Sequence, residues 1–212
     1  MIAGTVYGVV LNDRTERETL AGTFGAPPYK APPKAPVLYI KSRNTFNVSG
    51  APVALPSGLR EVEAAATLGL LFGRDAAKCD AASALGYVAA ACLALDVCEP
   101  QENYYRPAVR QRCRDGFLPL GEFAPLDPAL LNSEIVTAVD GKEAHRWNLS
   151  RLARDAATLI ADITDFMTLS AGDLLLIGLP HDAPRVKAGQ RVTVTSAELP
   201  ALETVFVRED AI

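Results

Sequence analysis

Short apolar runs with a two-residue period follow one another along most of the chain, and polar or proline-rich segments separate them. Alternation with this period predicts half-buried β-strands. Seven segments are strand-like, by alternation or as short apolar runs bounded by turn residues, and one of them is a hairpin about an Asp-Gly turn: "IAGTVYGVVLN" (residues 2–12), "VLYIKSRNTF" (37–46), "REVEAAATLGLLFG" (60–73), "EIVTAVDGKEAHRWNLS" (134–150), "LSAGDLLLIGLP" (169–180), "GQRVTVTSAE" (189–198) and "ETVFVRED" (203–210).

Two segments have helical features instead. Asp75 and the alanines after it suit a helix start in "DAAKCDAASALG". Apolar residues recur with helical spacing from Leu152 to Ile163, and Asn148 or Ser150 is available as the N-cap. The sequence therefore predicts two helices among many strands.

Three connecting segments are harder to assign. "DRTERE" (residues 13–18) is typical of a polar turn, and "GAPPYKAPPKAP" (25–36) has five prolines in twelve residues, which favours an extended loop. That loop serves as a connector or as a flap over a site. The run "YVAAACLALDV" (87–97) is so apolar that it fits a buried strand or a continuing helix equally well.

The order of these elements favours one fold class. Strands outnumber helices and no strict βαβ alternation appears, which predicts an α+β, sheet-rich roll rather than a doubly wound sheet. The chain has 212 residues, 49% of them hydrophobic, enough for one sizeable core. We expect one domain, in which an N-terminal strand and the Pro-rich lid or connector (1–36) precede the core (37–212).

Charge and hydropathy limit the partners. The net charge is −4 and no run of Lys or Arg occurs, which argues against nucleic acid or an anionic membrane surface as a partner. A small molecule or a protein is the expected partner. No basic, apolar leader opens the sequence and no apolar run approaches the ~20 residues of a bilayer span, so we expect a cytoplasmic protein.

Cysteine and histidine usage excludes several classes of site. Four cysteines occur, but none forms a Cys-x-x-Cys pair or has a histidine at zinc-site spacing, so we interpret them as reduced thiols. His145 and His181 are the only histidines, which excludes a His-rich metal site. No Gly-x-Ser-x-Gly elbow is present.

A candidate metal site begins with two glutamates at the head of an apolar strand. If residues 60–73 are extended, Glu61 and Glu63 point to the same side. Asp96, at the end of another apolar run, is a possible third ligand. Three oxygen ligands would suit a hard cation, Mg²⁺ or Mn²⁺, whereas exposed glutamates on a solvated strand face are the ordinary alternative.

Basic residues form a second candidate group. Lys41 interrupts an apolar strand, and Arg106, Arg112 and Arg114 lie in "YYRPAVRQRCRDG". Cations close to a carboxylate-bound metal would suit an anionic substrate. The alternative is that these residues balance acidic groups at the surface.

Six stretches, in order, resemble the fumarylacetoacetate hydrolase family over about residues 37–207. They are "YIKSRNTF", "LREVEAAATLGLLFG", "ALGYVAAACLALDV", "RCRDGFLPLG", "LSAGDLLLIGLP" and "AGQRVTVTSAEL". The resemblance implies a mixed β-sandwich roll of the C-terminal-domain type found in that family. It also implies a divalent-metal enzyme that acts on 2-oxo or 2-hydroxy-dienoate acids, by decarboxylation and isomerisation.

The resemblance also implies roles for individual residues. Glu61, Glu63 and Asp96 fall on the three ligands of Mg²⁺ or Mn²⁺, and Lys41 falls on the family's active-site lysine. Arg106 and Arg112 would hold substrate carboxylates, and Leu179 stands at a substrate-facing position. Family members are usually dimers, so we expect a homodimer, or a heterodimer with a homologous subunit.

Departures from the family pattern leave other functions open. Leu95 replaces an asparagine, Leu179 a threonine, and Ala90 and Ala91 a Gly-Tyr pair. These losses suggest a non-catalytic partner of a catalytic homologue as one alternative. An acylpyruvate hydrolase or an oxaloacetate decarboxylase is another, because the metal core would look alike.

Overall fold

The computed structural model describes residues 2–101 and 104–211. Within them, strands dominate and helices are short. The strands are β1 (Val6–Val10), β2 (Val37–Lys41), β3 (Phe46–Val48), β4 (Val53–Leu55), β5 (Val62–Phe72), β6 (Val88–Cys98), β7 (Leu118–Leu120), β8 (Ala124–Pro125), β9 (Glu134–Val139), β10 (Lys142–Asn148), β11 (Leu174–Leu176), β12 (Arg185–Val186), β13 (Arg191–Thr195) and β14 (Leu202–Arg208). The α-helices are α1 (Arg14–Thr19), α2 (Ala81–Ala84), α3 (Val109–Arg112) and α4 (Ala156–Thr164).

The strands form two mixed sheets. The larger has the order β2-β1-β11-β5-β6-β7-β3, with β12 added to β5 and β8 added to β6. The smaller has the order β10-β9-β13-β14-β4. Each sheet combines parallel and antiparallel pairs. The two longest strands, β5 and β6, pair in antiparallel fashion at the centre of the larger sheet.

The main core lies where the two sheets face each other. Apolar side chains of β5 and β6 meet those of β13 and β14 in one buried cluster. Trp147 of β10 is fully buried there, and its Nε1–H donates to the carbonyl oxygen of Ala66 on β5 (3.1 Å). A buried indole whose N–H is satisfied contributes its full apolar area to the core, so Trp147 joins the sheets firmly.

Helix α4 covers part of the same core. Asp155 caps it, with its Oδ1 accepting from the backbone N–H of Thr158 (2.8 Å), and the helix buries Leu159, Ile160 and Ile163. None of the helices among the described residues is long and apolar enough to cross a bilayer.

The sheet-rich α+β prediction is confirmed. The apolar run at 87–97, which fitted either strand or helix, forms β6. The hairpin about Asp140 is present as β9 and β10.

Three local predictions were wrong. The segment 13–18 is not a turn but contains α1, which begins after Asp13, whose carboxylate accepts from the backbone N–H of Thr15 (3.0 Å). Helix α2 begins after Asp80, not at Asp75, and α4 begins after Asp155, while Asn148 caps a separate short 3-10 turn. In α2 and α4, an Asp a few residues after the predicted start provides the cap that the chain uses.

Candidate active site

Strands β5 and β6 bring two of the predicted acidic residues together. Glu63 pairs with Cys98 across the two strands, and Ala65 pairs with Asp96. Residues two apart on a strand point to the same side. Glu63 and Asp96 are therefore diagonal neighbours on one face of the larger sheet.

Asp96 is fully buried and both of its carboxylate oxygens are engaged. Its Oδ1 accepts from Arg112 Nη1 (2.8 Å) and lies 3.4 Å from the Lys41 ammonium. Its Oδ2 accepts from the hydroxyl of Tyr39 (2.5 Å). One buried carboxylate is thus surrounded by two cations and a phenol.

Tyr39 is held on three sides. Burial and the charge of Asp96 raise its pKa well above the ordinary value, so the phenol is neutral and donates. The Arg112 guanidinium lies over its ring, 4.7 Å from the centroid, a cation–π contact. Gly8 of β1 lies opposite Tyr39 of β2, and the ring covers this glycine so closely that a Cβ there would overlap it.

Lys41, at the end of β2, lies behind Asp96 and not in a cavity. Its fully buried ammonium donates to three backbone carbonyl oxygens, those of Val97 (3.0 Å), Arg112 (2.7 Å) and Phe117 (2.9 Å). Burial lowers the pKa of Lys41, and the charge of Asp96 opposes this shift. Three acceptors match the three N–H groups of an ammonium, so we treat Lys41 as charged.

Arg112 ends α3 and is almost completely buried. Burial by itself lowers the pKa of the guanidinium, but Asp96 and the smaller contributions of the other acidic groups around it together outweigh burial, and the pKa is raised. Arg112 therefore remains a cation. Its position beside Asp96 was not expected from the sequence, which assigned Arg112 only to substrate carboxylates.

Four of the residues predicted to form the site line one small cavity of about 30 Å³. They are Glu63, Asp96, Arg112 and Leu179. A larger cavity of about 430 Å³ adjoins it, because Arg112 and Tyr104 line both. Arg106 lines the larger cavity, while Lys41 and Glu61 line neither.

Glu16 of α1 also lines the small cavity, and sequence reasoning missed it. Its side chain is buried, and its Oε1 accepts from the Tyr104 hydroxyl (2.6 Å). Burial raises the pKa of Glu16, while the bond from Tyr104 partly offsets the shift. The signal in the sequence was Asp13, a good N-cap two residues before Thr15 in a segment interpreted as a turn.

The two glutamates at the head of the segment at residues 60–73 have different neighbours. Arg185 of β12 pairs with Glu61 through Nη1 (2.9 Å) and lies 3.8 Å from Glu63. Glu63 is half-buried, and burial raises its pKa while Arg185 and Arg112 oppose the shift. Glu61 precedes β5 and belongs to the surface pair with Arg185.

Protein groups already contact two of the three predicted metal ligands in this arrangement. Glu61 is paired with Arg185, and both oxygens of Asp96 already accept from protein donors. Among residues 2–101 and 104–211, one group of three acidic, histidine or cysteine side chains brings its ligand atoms within 4.8 Å of one another: Asp13, His181 and Asp182. The metal assignments to Glu61, Glu63 and Asp96 stay predictions.

The group at Asp13 already contains a cation. Arg151 Nη2 lies 2.5 Å from Asp13 Oδ2 and 3.0 Å from Asp182 Oδ1. The nearby His145 Nε2 lies 3.0 Å from Asp182. The cluster is thus a possible acidic and histidine site that an arginine occupies.

Comparison with known proteins gives a consistent picture. A family model described as "Fumarylacetoacetate (FAA) hydrolase C-terminal" matches residues 5–207. The chain is 42% identical over 207 residues to the 4-hydroxyphenylacetate degradation bifunctional isomerase/decarboxylase of Salmonella dublin, covering 98% of this chain and 48% of that protein. The protein of the same description from Escherichia coli is 40% identical over 206 residues, covering 97% and 48%.

A solved structure extends the likeness. The 5-carboxymethyl-2-hydroxymuconate delta-isomerase from Mycobacterium smegmatis is similar with a TM-score of 0.84 and 25% identity, covering 99% of this chain and 80% of that one. The chain spans about half the length of the curated bifunctional relatives it matches.

Proposed function

The chain belongs to the fumarylacetoacetate hydrolase family, and on that premise we propose that it is an isomerase and decarboxylase of 4-hydroxyphenylacetate degradation. The proposed reactions are isomerisation of 2-hydroxyhepta-2,4-diene-1,7-dioate and decarboxylation of 5-oxopent-3-ene-1,2,5-tricarboxylate. Relatives at 39 to 42% identity carry names of this kind. Because the chain spans half of them, the activity of the whole relatives is part of the proposal.

The observation that carries the proposal is the composition of the small cavity. It places the Arg112 cation beside the carboxyl groups of Glu16 and Glu63 in a largely buried space. A cation that holds a carboxylate and an enolate oxygen, next to carboxyl groups that exchange protons, is what tautomer chemistry needs.

The isomerisation requires two proton movements. The hydroxyl proton leaves O2 as the C2=O bond forms, and the C2=C3 double bond moves to C3=C4. The C4=C5 double bond breaks, and its electron pair binds a proton at C5. In this proposal Arg112 binds the C1 carboxylate and O2 of the substrate. We assign proton transfer to Glu16, whose pKa burial brings closer to neutrality and whose carboxyl Tyr104 orients.

The decarboxylation uses the same geometry. The bond between C2 and its carboxylate breaks and CO₂ leaves. The electron pair moves through the conjugated C3=C4 double bond to the 5-oxo oxygen. A proton then replaces the carboxyl group. Arg112 would stabilise the developing oxyanion, and Lys41 acts as a positioning residue that holds Asp96 against Arg112. The metal role of Glu61, Glu63 and Asp96 stays a prediction, and the proposal includes no step through Mg²⁺ or Mn²⁺.

Turnover of both substrates by the purified chain tests the proposal. We expect the Glu16→Gln variant to lose about 100-fold in kcat with little change in KM, since a proton-transfer group contributes at least that much. Glu18→Gln is the matched control, because Glu18 is exposed on the same helix. Absence of turnover by the wild-type chain, with and without Mg²⁺, contradicts the proposal.

A second candidate function is that of a non-catalytic partner for a homologous catalytic subunit. The half-length match and the exposed apolar side chains at the larger cavity, Ile40, Tyr105 and Val109, favour it. Sedimentation of the chain alone and mixed with a homologous subunit separates the candidates. A partner shows no turnover alone, forms a defined heterodimer and raises the activity or stability of the other subunit.

A further inference from the structure

We propose that His181 is a proton relay between solvent and Glu16, and that decarboxylation depends on this relay more than isomerisation does. The inference rests on the proposed function, in which Glu16 transfers protons to and from the substrate. It adds a second proton-transfer residue to that site.

The two reactions differ in their proton balance. In isomerisation one proton leaves O2 and one binds at C5, so a single carboxyl group can accept the first and give back the second. In decarboxylation the carboxylate leaves as CO₂, and the anion that remains takes up one proton. Each decarboxylation therefore consumes a proton, and the group that donated it has to be protonated again from solvent.

Glu16 needs a partner to recover that proton. Its side chain is buried, and its Oε1 accepts from the Tyr104 hydroxyl. A proton moves between groups that are within hydrogen-bond reach of each other, directly or through one water. The partner therefore has to line the same cavity and also reach the surface.

His181 meets both requirements. It lines the small cavity together with Glu16, and its side chain is 31% exposed. The charge of His181 is close enough to lower the pKa of Glu16. The cavity of about 30 Å³ has room for one or two water molecules, at about 10–15 Å³ each, which can carry a proton between the two side chains.

One buried carboxylate holds both residues in place. Asp13 Oδ1 accepts from the backbone N–H of Thr15 (3.0 Å), at the start of the helix that carries Glu16. Asp13 Oδ2 accepts from the backbone N–H of His181 (3.2 Å). Glu16 and His181 are therefore positioned by the same side chain.

Asp182 lies on the solvent side of the relay. Its Oδ1 is 3.9 Å from His181 Nδ1, and its side chain is about half exposed. Arg151 pairs with Asp182 and Asp13 and provides the cation for both carboxylates. His145 also contacts Asp182 (3.0 Å), but its side chain is buried and does not line the small cavity. His181 is thus the imidazole that joins the cavity to the surface.

The ratio of the two activities tests the inference. For His181→Gln we expect the kcat of decarboxylation to fall by about 100-fold, as for loss of a proton-transfer group, while the kcat of isomerisation stays within about threefold of wild type. In His181→Ala, added imidazole should restore part of the decarboxylation, because it can carry protons in place of the missing side chain. His145→Gln is the control, since it removes an imidazole from the same Asp182 and should leave the ratio unchanged.

Equal losses of both activities in His181→Gln, or no loss of either, would overturn the inference and leave the proposed function standing. A wild-type chain without decarboxylase activity would overturn the relay, and one that turns over neither substrate would overturn the proposed function as well. If the His181 variants do not fold, Asp182→Asn replaces them. Loss of the carboxylate on the solvent side should lower the ratio in the same direction, and an unchanged ratio would decide against the relay.

Discussion

Two clusters of arginine and carboxylate adjoin the small cavity, and they differ in charge balance. The inner cluster has two cations, Lys41 and Arg112, for the single carboxylate of Asp96, and all three are buried. The outer cluster has two carboxylates, Asp13 and Asp182, for one guanidinium, and Asp182 is about half exposed.

The difference shows why a carboxylate motif does not by itself define a metal site. The inner cluster has two cations on the carboxylate of Asp96, while the carboxyl groups of Glu16 and Glu63 line the adjoining cavity. The outer cluster has a surplus of negative charge and imidazole nitrogens close by, but its Asp182 is about half exposed and an arginine already pairs with both carboxylates. The nature of the binding site follows from the balance of neighbouring cations, not from the acidic residues alone.

The largest effect should come from removing the inner carboxylate. Asp96→Asn leaves two buried cations without their counter-charge, so we expect the free energy of unfolding to fall by about 3–5 kcal/mol. Urea denaturation measures the change. Asp182→Asn is the matched change in the outer cluster, where a partly exposed pair contributes about 1 kcal/mol or less. Equal losses in the two variants would contradict the contrast between the clusters.

An intermediate effect is expected when one inner cation is removed. Lys41→Met keeps the length of the side chain but leaves three buried carbonyl oxygens without a donor. Loss of a buried donor costs about 1–3 kcal/mol, and the remaining one-to-one pair of Asp96 with Arg112 limits the loss to about 2 kcal/mol. Urea denaturation again provides the measurement, and Lys142→Met at an exposed position is the control. No change in Lys41→Met would remove its assigned positioning role.

The smallest effect concerns the pH dependence of the outer cluster. Burial raises the pKa of Asp182, but hydrogen bonds involving Arg151 and His145 outweigh it and lower the pKa to about 2. A lowered folded-state pKa means that Asp182 stabilises the fold above the pKa of the unfolded chain, near 4, and that this contribution disappears as the pH falls towards 2.

Because Asp182 is about half exposed, the contribution should be at most about 1 kcal/mol. Urea midpoints of the wild type and Asp182→Asn should therefore differ at pH 6 and converge by about pH 2. A difference that persists below pH 2 would contradict this account of Asp182.

The sequence predicted the fold class and most strands because alternating segments, and short apolar runs bounded by turn residues, are both typical of strands. It also predicted several residues that share the small cavity, although their roles remain predictions. It did not predict that Glu61 would lie outside that cavity. Two residues apart share a face only while the strand continues, and β5 begins at Val62, so Arg185 of β12 meets Glu61 at the surface.

The contacts of Arg112 and Glu16 could not be predicted from the sequence, for a different reason. Asp96 and Arg112 meet because the chain returns to β6 at α3. The two residues are 16 positions apart, and no local sequence pattern specifies that return. Glu16 lies on a six-residue helix without apolar periodicity, so only its cap indicated the helix. Both depend on tertiary packing.

The close approach of Gly8 to the Tyr39 ring gives β1 a part in the chemistry although it contributes no functional group. Because Gly8 has no side chain, the Tyr39 ring can lie directly against the β1 backbone. In that position Tyr39 donates to Asp96 and packs against Arg112. Because a Cβ at position 8 would overlap the ring, a methyl group there requires Tyr39 to shift, although Gly8 itself lines neither cavity.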